Sequence, residues 1–263
     1  MSSRRTPYNA RMHPVVHNQL DEAIDQAVPI LQRAHYVGVL TGAGVSAESG
    51  IATFRGSGGL WEGQRVEDVA TPQAFRRDPG LVWRFYNQRR ASLRTSQPNP
   101  GHHALYRLEA RLGSDRFALI TQNVDGLHRA AGSRHVLELH GSLARVRCQE
   151  CGEVKYRPAN EDLPPLPRCD RCSDLLRPDI VWFEEALPED VWTEAADCAA
   201  RSDVFLVVGT SAVVYPAARL VPIAKAAGAV IIEVNLAPTE ASYWVDIGLY
   251  GPSGEVLPKL IAL

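Results

Sequence analysis

The stretch TGAGVSAESGIATFRG, residues 41–56, decides how the rest of the chain is read. It follows Tyr36-Val37-Gly38-Val39-Leu40, a short apolar run with the character of a buried strand. Gly42 and Gly44 permit a tight turn and let the backbone approach a ligand without an intervening Cβ. A helix starting near Val45 would aim its unpaired N–H groups and the positive end of its dipole at an anion. Strand, Gly-x-Gly turn and helix in succession describe a dinucleotide pyrophosphate site, although Ala47 stands where the pattern has its third glycine. Two glycines at such a turn also occur where nothing binds. Arg55 tips the reading, because it puts a cation just past the turn, in a glycine-bracketed loop, within reach of a phosphate or carboxylate.

Working outward, further apolar strands are expected at 116–121, 203–209 and 229–234, with helical patterns between them. Residues 20–34 and 79–95 read as amphipathic helices, the second with Asp78 as N-cap and Pro79 in its first turn. Residues 102–112 place Leu105, Leu108 and Leu112 on one face, with Gly113 closing the end. Nearly all-apolar strands separated by helices indicate an α/β fold with a Rossmann-like parallel sheet covered on both faces. Two segments break this rhythm: 52–100, and 144–180, which is polar, proline-rich and carries four cysteines. Both read as insertions that build a small lobe, leaving about 19–51, 101–143 and 181–263 for the large one. In open α/β sheets ligands bind beyond the carboxyl ends of the strands. The Gly-x-Gly turn, Gln122-Asn123-Val124-Asp125, Gly209-Thr210-Ser211 and Asn235 all fall there.

The chain has 263 residues, 45% hydrophobic and 22% charged, enough for a large core in one elaborated domain or two. A net charge of −2 gives no field that would draw nucleic acid. The N-terminal stretch MSSRRTPYNARMHPVVHNQ lacks the apolar core of a secretory signal, and residues 1–18 read as a flexible arm. The apolar region 203–238 is interrupted by Pro216, Arg219, Pro222 and Lys225, so no membrane span is expected and the cytoplasm is the expected location.

Cys148-x-x-Cys151 and Cys169-x-x-Cys172 form two hairpin-type pairs separated by residues 152–168. A redox dithiol would need one pair only, and disulfides do not suit a chain without a secretory signal. Four thiolates at this spacing suit a tetrahedral zinc, which is structural because no coordination position stays open. Cys198 reads as a small buried hydrophobe. Of the eight histidines, His13, His17 and His35 show no evident partner, His102 and His103 suit capping or packing, and His128 and His135 lie near the site edge. His140 follows an alternating strand and precedes a glycine at the lobe junction. Position alone leaves it open as a catalytic or a packed histidine.

Gly42 to Ile51 with Phe54-Arg55, and Thr121-Gln122-Asn123-Val124-Asp125-Gly126-Leu127-His128, resemble the signatures of the sirtuins, NAD-dependent protein-lysine deacylases. His140-Gly141, the two cysteine pairs, Gly209-Thr210-Ser211 and Asn235 follow in the family's order, so the resemblance runs from about residue 20 to the C-terminus. Arg55-Gly56-Ser57-Gly58-Gly59-Leu60-Trp61 and Phe85-Tyr86-Asn87-Gln88-Arg89-Arg90 resemble the class that includes bacterial sirtuins and the mitochondrial desuccinylase. The resemblance implies a Rossmann-like lobe, a small zinc lobe and a cleft between them.

It also implies roles. Gly42, Ala43, Gly44 and Ser46 would cradle the phosphates of NAD, with Phe54, Arg55 and Trp61 over the reacting half. Asn123 and Asp125 would hold the nicotinamide end and an ordered water, with Gln122 and His140 at the ribose and His140 as general base. Gly209, Thr210, Ser211, Asn235, Leu236, Ala237 and Ser253 would meet the phosphate, ribose and adenine. Val181-Trp182-Phe183 resembles an extended segment that pairs with the substrate backbone. Partners would be acyl-lysine proteins or peptides, and products free lysine, nicotinamide and O-acyl-ADP-ribose. Tyr86 and Arg89 lie three apart on one helix, a spacing that usually marks a solvated face, as Arg90 beside them also suggests. In the family, Tyr-x-x-Arg here reads dicarboxylic acyl groups such as succinyl and malonyl, and Ser57 stands near that pocket in place of alanine. A mono-ADP-ribosyltransferase would share the NAD site, and a non-catalytic NAD or zinc module would need neither His140 nor Asn123.

Overall fold

Six parallel strands form the main sheet of the computed structural model, which describes residues 14–52, 60–61 and 64–262. They are β1 (Val37–Thr41), β4 (Phe117–Thr121), β5 (Val136–Glu138), β9 (Val204–Val208), β10 (Val230–Asn235) and β11 (Ile247–Tyr250), lying in the order β11-β10-β9-β1-β4-β5. A short hairpin, β2 (Leu60–Trp61) with β3 (Gln64–Arg65), lies outside it. The expected strands are present, and β1, β4 and β9 are buried at every position. Each Val, Leu, Ile or Phe so buried contributes about 1.5–3 kcal/mol.

Helices cover both faces. α1 (Pro14–Arg33), α5 (Pro100–Leu112) and α9 (Ser253–Leu260) share one core with Val39, Leu119 and Leu206. α7 (Glu189–Ala200) and α8 (Leu220–Ala226) share the other with Leu40, Ile120 and Val207. Alternate residues of one strand thus feed opposite cores, which is why the strands read as unbroken apolar runs. α1 begins at Pro14, so five residues of the expected arm are helical, and residues 1–13 lie outside the described residues. Leu105, Leu108 and Leu112 are buried, and Gly113 closes α5 with φ +83.

The chain runs outward from β1 through β4 to β5, then returns to place β9 on the other side of β1. The carboxyl ends of β1 and β9 therefore flank the point where strand order reverses, where a crevice opens. The turns after them pack on each other, Gly44 N donating to Gly209 O at 2.8 Å. A Cβ on Gly44 would stand 2.7 Å from Gly209 Cα, so two side-chain-free turns are needed at this contact. The helix expected near Val45 is a seven-residue 3-10 segment, Ala43–Ser49. The N–H groups of Gly42, Gly44 and Val45 are bonded to the carbonyls of Val208, Gly209 and Gly42, so the turn does not offer the free N–H array of an α-helix start.

A second body of structure has its own core. The antiparallel strands β6 (Gly141–Cys148), β7 (Val154–Tyr156) and β8 (Leu176–Ile180) pack with α2 (Val66–Val69), α3 (Pro72–Arg77) and α4 (Pro79–Leu93). Asp78 caps α4 as expected, accepting from Leu81 N at 2.8 Å. α4 is not the amphipathic surface helix expected, because Val82, Trp83, Phe85, Tyr86, Arg89 and Arg90 are all buried. Packed against α2, α3, β6 and β8, it has more than one inward face. The short helix α6 (Leu127–Ala130) completes the order, and no helix among the described residues is long and apolar enough to cross a membrane.

Candidate active site

A cavity of about 480 Å³ lies beyond the carboxyl ends of β1, β4, β9 and β10 and is walled on its other side by α4 and the segment after β8. Gly42, Ala43, Gly44, Gln122, Asn123, Asp125, His140, Gly209, Thr210, Ser211, Asn235, Leu236 and Ser253 line it, as do Tyr86, Arg89, Val181, Trp182 and Phe183. Most of the residues marked in the sequence thus converge on one concavity. Ser46 lies behind the wall, fully buried, and Ala237 is not part of the lining. Phe54, Arg55 and Ser57 and the side chain of Trp61 fall outside the described residues.

His140 follows β5 and precedes β6. Gly141 turns the chain there with φ +81, and a Cβ on it would sit 2.0 Å from Asp179 O. His140 Nδ1 lies 3.0 Å from the carbonyl of Gln122. A carbonyl only accepts, so Nδ1 carries the proton and Nε2 keeps its lone pair. Burial lowers the His140 pKa against the opposing pull of the Gln122 carbonyl, so the ring is a neutral base near pH 7.

Behind the turn runs a hydrogen-bonded chain. His102 Nδ1 accepts from Asn99 N at 3.2 Å, which leaves its Nε2–H to face Ser46 Oγ at 3.3 Å. Ser46 Oγ donates to Asp125 Oδ2 at 2.8 Å and accepts from Asn123 Nδ2 at 3.1 Å. Asp125 Oδ1 accepts from Leu127 N at 2.9 Å, and Asn123 Nδ2 also reaches Gly42 O at 3.1 Å. Ser46 therefore orients two cavity residues instead of facing a phosphate itself. Burial raises the Asp125 pKa while these donors lower it. Desolvation pushes His102 down to about 4 and His128 well below the usual histidine value. His102 keeps the capping role read from sequence, in a capping box with Asn99. Its link to Ser46 was not readable, since 56 residues separate them. His128, expected at the site edge, is buried against Thr41 Oγ1 at 3.0 Å.

On the other side of the crevice Gln122 Nε2 donates to Thr210 Oγ1 at 2.9 Å, and Asn235 Nδ2 donates to Thr210 O at 2.8 Å. Ser253 Oγ donates to Glu48 at 3.2 Å, and Glu48 also accepts from Gly254 N at 2.6 Å. Glu48 thereby ties the glycine turn to the start of α9, a contact across 206 positions that no local pattern announces.

Tyr86 and Arg89 are both buried cavity residues, not a solvated face. Tyr86 OH accepts from Trp182 Nε1 at 2.9 Å, and burial raises its pKa. Arg90 is also buried, contrary to its expected exposure. Its guanidinium donates to the carbonyls of Leu143, Arg157 (2.8 Å), Pro158 (2.9 Å) and Glu161 (3.2 Å), joining α4 to β6 and the 157–161 loop. The 181–183 segment departs from the expected strand edge. The N–H groups of Val181, Trp182 and Phe183 are taken by His140 O, the Glu185 carboxylate and Ala70 O, because the chain turns at 182–185. Trp182 is a core residue, its ring 5.4 Å from Phe75 and under the Arg177 guanidinium at 3.4 Å.

The sulfur atoms of Cys148, Cys151, Cys169 and Cys172 all lie within 4.8 Å of one another. Cys148–Cys172 is 3.3 Å and Cys151–Cys169 is 3.7 Å. A tetrahedral zinc with bonds of about 2.3 Å needs sulfur separations of about 3.8 Å, so the set fits. The Cys151 N–H draws the Cys148 thiol down to about 7, while Cys172, despite the Asp174 N–H, is pushed up to about 12 by the neighbouring thiols, so Cys148 is the first of the crowded set to become a thiolate. Such a zinc, held by all four sulfurs, would pin β6 to the 169–172 hairpin and supply no reactive position.

Residues 42–216 match the Sir2 family model. The chain belongs to the Sir2 family. It is 53% identical over 234 residues, 88% of its length and 92% of the other's, to NAD-dependent protein deacylase 2 of Pyrobaculum aerophilum. It is 44% identical over 253 residues to the mitochondrial NAD-dependent protein deacylase sirtuin-5 of Danio rerio, covering 87% of this chain and 83% of that one. A Sir2 homolog solved as an NAD complex superposes with a TM-score of 0.84 at 47% identity, covering 90% of this chain and 92% of the other. The Sir2 fold accounts for the six-stranded sheet, the reversal-point crevice and the four-cysteine cage.

Proposed function

We propose that this Sir2 protein is an NAD-dependent protein-lysine deacylase that transfers an acyl group from lysine to the ADP-ribose of NAD, consuming one water and releasing nicotinamide and free lysine. The observation that carries this reading is His140, a neutral imidazole whose Nδ1 proton is fixed on Gln122 O and whose Nε2 is left basic in the cavity that begins at the glycine turn. NAD, when bound, supplies an anomeric carbon from which nicotinamide can leave. Gly42, Ala43 and Gly44, facing Gly209, Thr210 and Ser211, form the wall along which the pyrophosphate would lie, the glycines letting it approach the backbone without a Cβ in the way. Asn123 and Asp125, oriented by Ser46, hold the nicotinamide end. Gln122 positions the ribose, and His140 takes a ribose hydroxyl proton at Nε2. Asn235, Leu236 and Ser253, which line the cavity, border the adenosine. Val181, Trp182 and Phe183 receive the substrate peptide. A reducing, cytoplasmic setting suits thiols kept free for zinc.

Incubation with NAD and an acetyl-lysine peptide, followed by product mass, tests the reading. O-acetyl-ADP-ribose is expected. An ADP-ribosylated protein in its place would identify a mono-ADP-ribosyltransferase, and no product with bound NAD would identify a non-catalytic module.

Succinyl- and malonyl-lysine are proposed as further substrates. Arg89 is a buried cation on the cavity wall with Tyr86 one turn before it, a pair suited to a terminal carboxylate. Arg89→Met is expected to cut succinyl turnover at least about tenfold more than acetyl turnover, the loss of one charge-assisted hydrogen bond. Equal losses on both substrates would remove Arg89 from acyl recognition.

A further inference from the structure

We infer that Glu184 selects the peptide entering the cavity, its carboxylate standing at the mouth as an anchor for a lysine or arginine that flanks the acylated lysine. The inference rests on the deacylase reading for what enters. Glu184 lines the cavity and is exposed to solvent. Its backbone has φ +72, a conformation that glycine adopts freely and glutamate only with strain. Strain retained at a cavity mouth points to a side chain that is used. Gln73, on α3, donates from Nε2 to Glu184 Oε2 at 2.6 Å and fixes the direction of the carboxylate without neutralising it.

The other carboxylates on the wall are occupied. Glu185 is held in a two-point pair by Arg177 at 2.6 and 2.8 Å and also accepts from Trp182 N. Asp125 is held by Ser46 and Leu127 N, and Glu48 by Ser253 and Gly254 N. Among the described residues no lysine, arginine or histidine forms an ion pair with Glu184. The cavity therefore runs from a buried cation, Arg89, to an exposed carboxylate, Glu184, that no cation among the described residues pairs. A peptide that sends an acyl chain inward and keeps a basic residue outside matches both ends. Exposed ion pairs are weak and screened by salt, so the expected preference is about two- to fivefold.

Fluorescent acetyl-lysine peptides with arginine, alanine or glutamate at the flanking positions, titrated against the full-length protein, test this by anisotropy. The wild type is expected to bind the arginine-flanked peptide about two- to fivefold more tightly than the alanine-flanked one, with the advantage shrinking at high salt. Glu184→Gln should erase the advantage, and Glu184→Lys should transfer it to the glutamate-flanked peptide. Glu184→Gly, which also relieves the backbone, serves if either variant fails to fold. Equal affinities in the wild type, or an arginine preference that survives in Glu184→Gln or Glu184→Gly, would overturn the assignment. Turnover of the alanine-flanked peptide with NAD is read in parallel. Its absence would sink the deacylase reading, while the anisotropy ranking would still decide the role of Glu184.

Discussion

The six-stranded sheet and the cysteine-bearing lobe reach stability by different routes. β1, β4 and β9 are buried at every position and apolar at all but Thr41 and Thr121, and each feeds two hydrophobic cores. In the smaller lobe, β7 leaves Val154 and Tyr156 exposed, and one aromatic cluster around Trp83 and Trp182 is its only core among the described residues. A few polar links complete that lobe: Arg90 on four carbonyls, Arg177 on Glu185, and four cysteines. A core spread over many side chains loses little when one is altered. A lobe joined by a few directional links loses a whole attachment with each, because the desolvated partner groups remain buried.

Metal loss should separate the two regions most. Cys169→Ser, or stripping the wild type with a chelator, is expected to cost several kcal/mol locally. Limited proteolysis should then cut within 144–180 while fragments of the sheet persist, and metal analysis of the wild type should return one zinc per chain. A metal-free protein with an intact, protease-resistant lobe would abolish the contrast.

His140 lies where the regions meet, and its substitution should affect chemistry and not packing. His140→Tyr is expected to lower turnover by about 10²–10⁴-fold, the usual worth of a general base. NAD binding by calorimetry and the melting temperature should stay near wild type. Normal turnover near pH 7 would disqualify His140 as the base. The wild-type rate should rise with pH through a pKa below the ordinary histidine value and level off by neutrality, because burial disfavours the imidazolium.

Arg90→Met should destabilise the protein by about 2–4 kcal/mol in denaturant titrations, because four carbonyls lose a buried donor. A change below about 0.5 kcal/mol would return Arg90 to the solvated face expected from its helix position.

The smallest effect belongs to the large region. The folded-state pKa of His102 is about 4, below the unfolded value of 6.5. On acidification the unfolded chain therefore takes up this proton first. Its stabilising contribution is complete above about pH 6.5 and is lost as pH falls toward 4, by up to about 3 kcal/mol. His102→Gln should flatten that part of the curve of melting temperature against pH. Parallel curves for the two proteins would contradict a buried neutral His102.

What the sequence determined by itself was everything carried by local pattern. The unbroken apolar strands, the Asp78 cap, the Gly113 stop, the Gly-x-Gly turn and the Cys-x-x-Cys spacing express steric and periodic constraints that act within a few residues. They were legible for that reason, and their order along the chain was enough to mark the family. Tertiary structure alone decided how those pieces face one another. Arg90 reads as a solvated residue until α4 is enclosed by β6 and β8, and Val45 reads as a helix start until the Gly209 turn takes the Gly44 N–H. The 181–183 segment reads as an open strand edge until Glu185 folds back onto Trp182 N. Ser46 meets Asp125 across 79 positions, and Glu48 meets Gly254 across 206. These are polar contacts between distant segments, and burial sets their strength. Burial belongs to the packed chain, so no window of sequence contains it.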